Sequence, residues 1–323
     1  MEGFSLEEVK RAQEIVYQHV KPTPQYAWPQ LCEAAGCEFW LKHENHTPIG
    51  AFKVRGGLVY MNAVARDPSV GDLVTATRGN HGQSIPYAAR LHNKIVHVYA
   101  PESNSLEKNV AMRAWGARLH LEGPDFESAV AAAGSHADKD NLHMVPSFHR
   151  NLVLGVATYG YELMTEVDGL DAIYVPVGMG SGATSLIAIR DMLGVATKII
   201  GVVSTEADAI AQSFSAGEII ATNSAQTFAD GVATRVPHPE AFEVLRTGLD
   251  RVVTVSDDEV AEAIRLIYAT THNIAEGAGA AATAAVMQER DRCQGKRVAA
   301  ILTGGNIDRD WLIKILDGKT PEL

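Results

Sequence analysis

Ser5 and Glu8 stand at the spacing of a capping box, and the apolar positions that follow (Val9, Ala12, Ile15 and Val16) share one face at helical period. The pattern predicts a first helix that ends before Pro22. Further on, short apolar runs rich in β-branched residues recur: EFWLKHE, DLVTAT, KIVHVYA, ARLHLEG, AIYVPVG, KIIGVVS, RVVTVS and RVAAILTGG. Helical periodicity fills most of the intervals, notably residues 106–115, 154–167 and 257–271. Strands alternating with helices read as βαβ units, so the expected fold class is α/β, two-lobed, with parallel-rich open sheets flanked by helices. No Pro- or Ser-rich linker interrupts the pattern. A second domain must therefore be inserted in the first: residues 66–149 as a small α/β domain, and residues 1–65 with 150–323 as the large one. Residues 223–239 lack any period and contain Gly and Pro, which reads as a long functional loop.

Composition narrows the class. Hydrophobic residues make up 46% and charged residues 21%, as in ordinary globular proteins. The net charge of −11 argues against nucleic acid and anionic membranes as partners, since both require clustered Lys and Arg. A small molecule is the expected partner. Three cysteines, with no Cys-x-x-Cys spacing, fit neither a disulfide framework nor a structural zinc site. The amino terminus lacks a signal-peptide pattern and no run of eighteen apolar residues occurs, so a cytoplasmic setting is expected.

Four stretches carry candidate chemistry. In HTPIGAFKVRGG (residues 46–57), Lys53 lies among apolar neighbours that disfavour its charged form, and glycines allow close approach. An amine so placed is either a nucleophile toward carbonyls or a structural lysine. In TATRGNHGQS (residues 75–84), a strand turns through Gly79 into a helix whose free N–H groups suit a carboxylate or phosphate; the plainer reading is a capped turn. In VPVGMGSGATS (residues 175–185), the glycines at 178, 180 and 182 follow a strand and precede a helix. The G-x-G-x-G spacing and the missing P-loop lysine favour a lone phosphate monoester over NAD or ATP. In ILTGGNID (residues 301–308), Thr303 ends a strand, where ligands of open α/β sheets bind. The spacing of the twelve histidines offers no metal set, and no G-x-S-x-G occurs.

The order of these stretches is itself informative. Phe52-Lys53 with Arg55-Gly56, then residues 79–83, then the glycine loop, then residues 303–306 resemble the serine/threonine dehydratases and serine racemases, pyridoxal-phosphate enzymes of the tryptophan-synthase-β fold type (fold type II). The resemblance runs from Val20 to Asp308. It implies that Lys53 holds pyridoxal 5′-phosphate as a Schiff base and removes the Cα proton, that Phe52 packs near the ring, and that Asn80 bonds its 3′-oxygen. Gly178, Met179, Gly180, Ser181 and Gly182 would bind the phosphate, and Thr303 would meet the ring nitrogen. Thr77, Arg78, Gly79, Asn80 and His81 would receive the substrate carboxylate. The implied activity is a lyase reaction: a threonine- or serine-type β-hydroxy amino acid loses ammonia to give a 2-oxo acid, in a homodimer. Alternatives within the resemblance are 3-hydroxyaspartate or phenylserine-like substrates, or racemisation.

Four positions depart from the family pattern. Arg78 stands where serine racemases place a serine acid/base, which disfavours racemisation because an arginine stays protonated. It is a candidate to bind a second substrate carboxylate, with Arg150 or Arg235 as helpers. Ala51 replaces the usual serine, and Ser204 and Ala209 stand where some members have carboxylates for a divalent cation. No metal is expected.

Overall fold

The computed structural model describes residues 3–322. The capping box forms: the Glu8 N–H donates to Ser5 Oγ at 3.2 Å, and the Ser5 N–H donates to the Glu8 carboxylate at 2.9 Å. The helix it opens, Leu6–Tyr17, buries Val9, Ala12 and Val16.

Ten strands follow in chain order: β1 (Gln25–Ala27), β2 (Glu38–His43), β3 (Leu73–Ala76), β4 (Val96–Ala100), β5 (Ala117–Leu121), β6 (His143–Met144), β7 (Ala172–Pro176), β8 (Lys198–Ser204), β9 (Arg251–Val255) and β10 (Arg297–Leu302). All eight apolar runs are among them. The other two, β1 and β6, are too short to show a period. The strands form a six-stranded sheet of order β1-β2-β10-β7-β8-β9 and a four-stranded sheet of order β5-β4-β3-β6. Among the described residues only the β1–β2 pair of these sheets is antiparallel. Among the described residues no helix is long and apolar enough to cross a membrane.

The strand order does the positioning. β2, β10 and β7 are successive parallel neighbours, with Leu302 level with His43 and Ala300 level with Tyr174. Their carboxyl ends therefore lie side by side, and the segments that leave them carry Lys53, Thr303 and the glycine loop. In the four-stranded sheet the interior strand β3 ends at Ala76 and delivers Thr77 to His81.

Beneath this edge the packing is tight and charged. The helices Lys53–Val64 and Arg150–Glu166 touch through their backbones: a Cβ added at Gly56 would lie 2.7 Å from the Leu152 carbonyl oxygen. Arg55, fully buried, bonds Glu44 at 2.8 and 3.0 Å and Glu162 at 2.6 and 3.0 Å. Lys42 reaches Glu162 at 2.6 Å and Thr23 adds a 2.6 Å bond to Glu44. Two cations and two anions thus neutralise one another out of water, the condition under which buried charge is tolerated.

Candidate active site

Lys53 is the first residue of its helix, and the chain before it is pinned to the end of β10. The Phe52 N–H donates to the Thr303 carbonyl at 3.0 Å, the Gly305 N–H donates to the Gly50 carbonyl at 2.9 Å, and Ala51 forms a β-bridge with Gly304. This short antiparallel contact sets Lys53 beside Thr303. The ammonium lies 5.2 Å from the Phe52 ring centroid and has no hydrogen-bond partner among the described residues. Burial pushes its pKa down to about 8, which leaves a useful fraction of free amine near neutral pH.

The glycine loop opens the helix Ser181–Leu193, whose N-cap, Gly180, has a positive φ of 93° and supplies no side-chain cap. Among the described residues the N–H groups of residues 178–183 have no acceptor. The buried Thr184 hydroxyl has none either. Close approach explains the glycines: a Cβ at Gly178 would overlap the Gly231 carbonyl oxygen, and one at Gly182 would lie 3.3 Å from the Tyr159 hydroxyl. Residues 223–239 therefore reach the site, with Gly231 as the wall against the loop. Phe52 meets Tyr159 edge to face at 6.1 Å and completes that wall.

Asn80 begins the helix Asn80–Ala89, again without a side-chain cap. Its Nδ2 donates to Glu276 at 2.7 Å, and its Oδ1 accepts from Asn306 Nδ2 at 2.8 Å. Asn306 also bonds the Ile49 carbonyl at 2.8 Å, so Asn80 is held by both ends of the Lys53 turn. Thr77 Oγ1 accepts the Gly79 N–H at 3.1 Å, and the N–H groups of Asn80, His81 and Gly82 have no acceptor among the described residues. His81 is buried with Nε2 unpartnered, and its pKa is pushed down to about 3 by burial and by the charge of Lys53.

Glu276 has no counterpart in the sequence reading. Burial pushes its pKa up to about 7, opposed by the charge of Lys108, which is itself ion-paired with Asp230. Glu276 sits at the N-cap of the helix Gly277–Gln288 but does not cap it; its carboxylate turns to Asn80 instead. Its N–H bonds the Gly304 carbonyl at 3.0 Å. The only local signal was a glutamate ahead of the small-residue run GAGAA.

The arginines divide. Arg78 is exposed, near Asp125, whose carboxyl it and Arg235 help hold below the usual range after the dominant bonds from Ser128. Arg235 pairs with Glu127 at 2.8 Å. Arg150 is no helper to this site: it pairs with Glu8 at 2.8 Å and covers the Phe4 ring, because the first helix folds over it. Ser204 caps a short turn and Ala209 is buried, so neither position offers a carboxylate. The histidine spacing did not show that the fold brings His97 and His120 of the four-stranded sheet together with His136 of the helix Phe126–Asp140.

Comparison with known proteins fits this geometry. Residues 16–304 match the family described as pyridoxal-phosphate dependent enzyme, and the chain belongs to that family. It is 31% identical over 316 residues to an L-threonine ammonia-lyase of Thermotoga maritima, covering 97% of this chain and 78% of that one. It is 29% identical to a beta-hydroxyaspartate dehydratase of Paracoccus denitrificans, covering 95% and 97%. Among solved structures, the processed form of threonine deaminase isoform 2 from Solanum lycopersicum superimposes with a TM-score of 0.88 at 27% identity, over 98% of this chain and 94% of that one. The cofactor is pyridoxal 5′-phosphate, and the residues present fit it. An unpaired amine, a ring of unsatisfied N–H groups with the orphaned Thr184 hydroxyl, and glycines where any side chain would intrude are what an aldehyde bearing a phosphate requires.

Proposed function

We propose that this chain is an ammonia-lyase for a β-hydroxy L-amino acid of the threonine or serine type. The observation that carries the reading is the Lys53 amine, unpaired and of lowered pKa, whose neighbour Phe52 lies against the glycine loop and whose charge acts on His81 at the start of the uncapped Asn80 helix. The names of the relatives support the reaction type. Pyridoxal phosphate, when bound, supplies an electron sink that weakens the bonds at the amino acid Cα.

The chain's own residues do the rest. The N–H groups of residues 178–183 and the Thr184 hydroxyl would hold the phosphate, Asn80 would serve the 3′-oxygen, and the Thr303 hydroxyl would serve the ring nitrogen. A neutral hydroxyl there would impose no proton on that nitrogen and so would leave the electron sink the weaker of its two forms. The N–H groups of Asn80, His81 and Gly82 receive the substrate carboxylate, and His81 stays neutral, so it adds no competing charge. Lys53 Nζ accepts the Cα proton. Overall the Cα proton and β-hydroxide leave as water, and hydrolysis then gives the 2-oxo acid and ammonia.

A second reading, a substrate with a further carboxylate, is favoured by Arg78 standing exposed on the substrate turn and by the Paracoccus relative. Keto acid and ammonia measured with threonine, serine, 3-hydroxyaspartate and phenylserine test both. Release from threonine or serine that is lost in Lys53→Ala supports the first. Preference for 3-hydroxyaspartate that collapses in Arg78→Ala supports the second. Return of the opposite enantiomer without keto acid overturns both.

A further inference from the structure

On the four-stranded sheet, away from Lys53, three imidazoles meet. β4 and β5 run parallel with His97 level with Arg118 and Tyr99 level with His120, so His97, Tyr99 and His120 share the face covered by the helix Phe126–Asp140. That helix contributes His136. One ring nitrogen from each of the three histidines lies within 4.8 Å of the other two. His97 Nδ1 and His120 Nε2 are already 3.0 Å apart. Two nitrogens bound tetrahedrally at about 2.0–2.1 Å from zinc are separated by about 3.3 Å, so this pair needs little movement to share an ion.

We propose that His97, His120 and His136 form a site for one borderline-soft divalent transition ion of the Zn²⁺ type. Imidazole nitrogen is the donor that suits such ions, and it excludes Mg²⁺ and Ca²⁺, which require oxygen. His136 has the outer contacts that a metal-binding histidine needs. His136 Nδ1 lies 3.0 Å from the Tyr99 hydroxyl and His136 Nε2 lies 3.0 Å from Asp140, so whichever nitrogen turns to the ion, the other is oriented by an oxygen partner. Among the charges that act on His97, Tyr99 and His120 from outside the cluster, Asp72, Glu122 and Asp140 outnumber Arg118, so the surroundings favour a dication. Burial and the neighbouring imidazoles hold His97 and His120 below the ordinary histidine pKa, which keeps them in the neutral form that binds metal.

The ion would tie the Phe126–Asp140 helix to two strands of its sheet, and its effect would be on stability rather than on the chemistry at Lys53. Chelator-treated holoenzyme titrated with Zn²⁺ in a calorimeter should take up one equivalent and unfold at a higher temperature, while Mg²⁺ does neither. The double variant His120→Gln, His136→Gln should lose both responses and keep the activity of the metal-free wild type. Zn²⁺ should also shield these three histidines of the wild type from diethyl pyrocarbonate, read by peptide mass spectrometry. That arm stands even where the variant folds poorly. Equal Zn²⁺ uptake by wild type and folded variant, or shielding that falls on other histidines or on none, overturns the proposal.

Discussion

Asn80 donates a 2.7 Å hydrogen bond to Glu276, a residue 196 positions away, and through it the turn at residues 77–81 is joined to the segment that carries Thr303 and Gly304. The carboxylate that accepts this bond is raised to about 7 by burial. The strength of the contact therefore varies across the neutral range, as the acceptor gains or loses its charge.

A pH signature follows. The folded pKa of Glu276 lies above its ordinary 4.5, so its contribution to stability is full below about 4.5 and is lost as the pH rises through about 7. Glu276→Gln keeps an acceptor for Asn80 and removes the titration. Denaturant midpoints of the two holoenzymes from about pH 5 to about pH 9 should diverge in favour of the variant on the alkaline side, by at most roughly 3 kcal/mol. Parallel curves would mean that Glu276 is not protonated in the native protein.

Lys53 offers a kinetic test. Only the free amine attacks an aldehyde, so the rate at which apoenzyme develops the visible absorbance of bound pyridoxal phosphate should climb with pH, with a midpoint near 8. Lys53→Ala should never develop that absorbance. A wild-type rate that is flat between about pH 7 and pH 9 would contradict the lowered pKa.

Arg55→Leu should destabilise the protein strongly, because Arg55 is wholly buried. The change leaves Glu44 and Glu162 buried with only Lys42 against them, and breaking such a pair costs about 3–5 kcal/mol. Urea unfolding should show a lower midpoint with an unchanged slope. A midpoint within error of wild type would show that water reaches the network.

Gly178→Ala should loosen the cofactor without unfolding the protein. The added methyl overlaps the Gly231 carbonyl, so the loop must shift away from the wall that shapes it, and affinity for pyridoxal phosphate measured by dialysis should fall about tenfold or more, which is about 1.4 kcal/mol. Gly134→Ala is the control, because nothing lies within 4 Å of a Cβ there and the helix gains about 0.5–1 kcal/mol.

What the sequence disclosed and what it hid divide along physical lines. Strands such as β8 announced themselves because parallel strands covered on both faces are continuous β-branched runs; β1 and β6, three and two residues long, have no period to read. Lys53 and the glycine loop were legible because their chemistry is local, an apolar setting and a run of missing side chains. Glu276 and the imidazoles at 97, 120 and 136 were not, because each acquires its meaning from a partner that only the strand order brings near. Arg150 misled for the same reason: the capping-box helix claims it through Glu8.

Gly57 and Ser84 meet with no clearance: a Cβ at Gly57 would overlap the Ser84 hydroxyl, which itself donates a 2.6 Å bond to the Lys53 carbonyl. The lysine and the turn at residues 77–81 are thus indexed to each other through one seam between two helices, like jaws cut from a single block. A methyl at position 57 would carry its displacement to both sides of the reaction at once, so alignment would be lost before stability is.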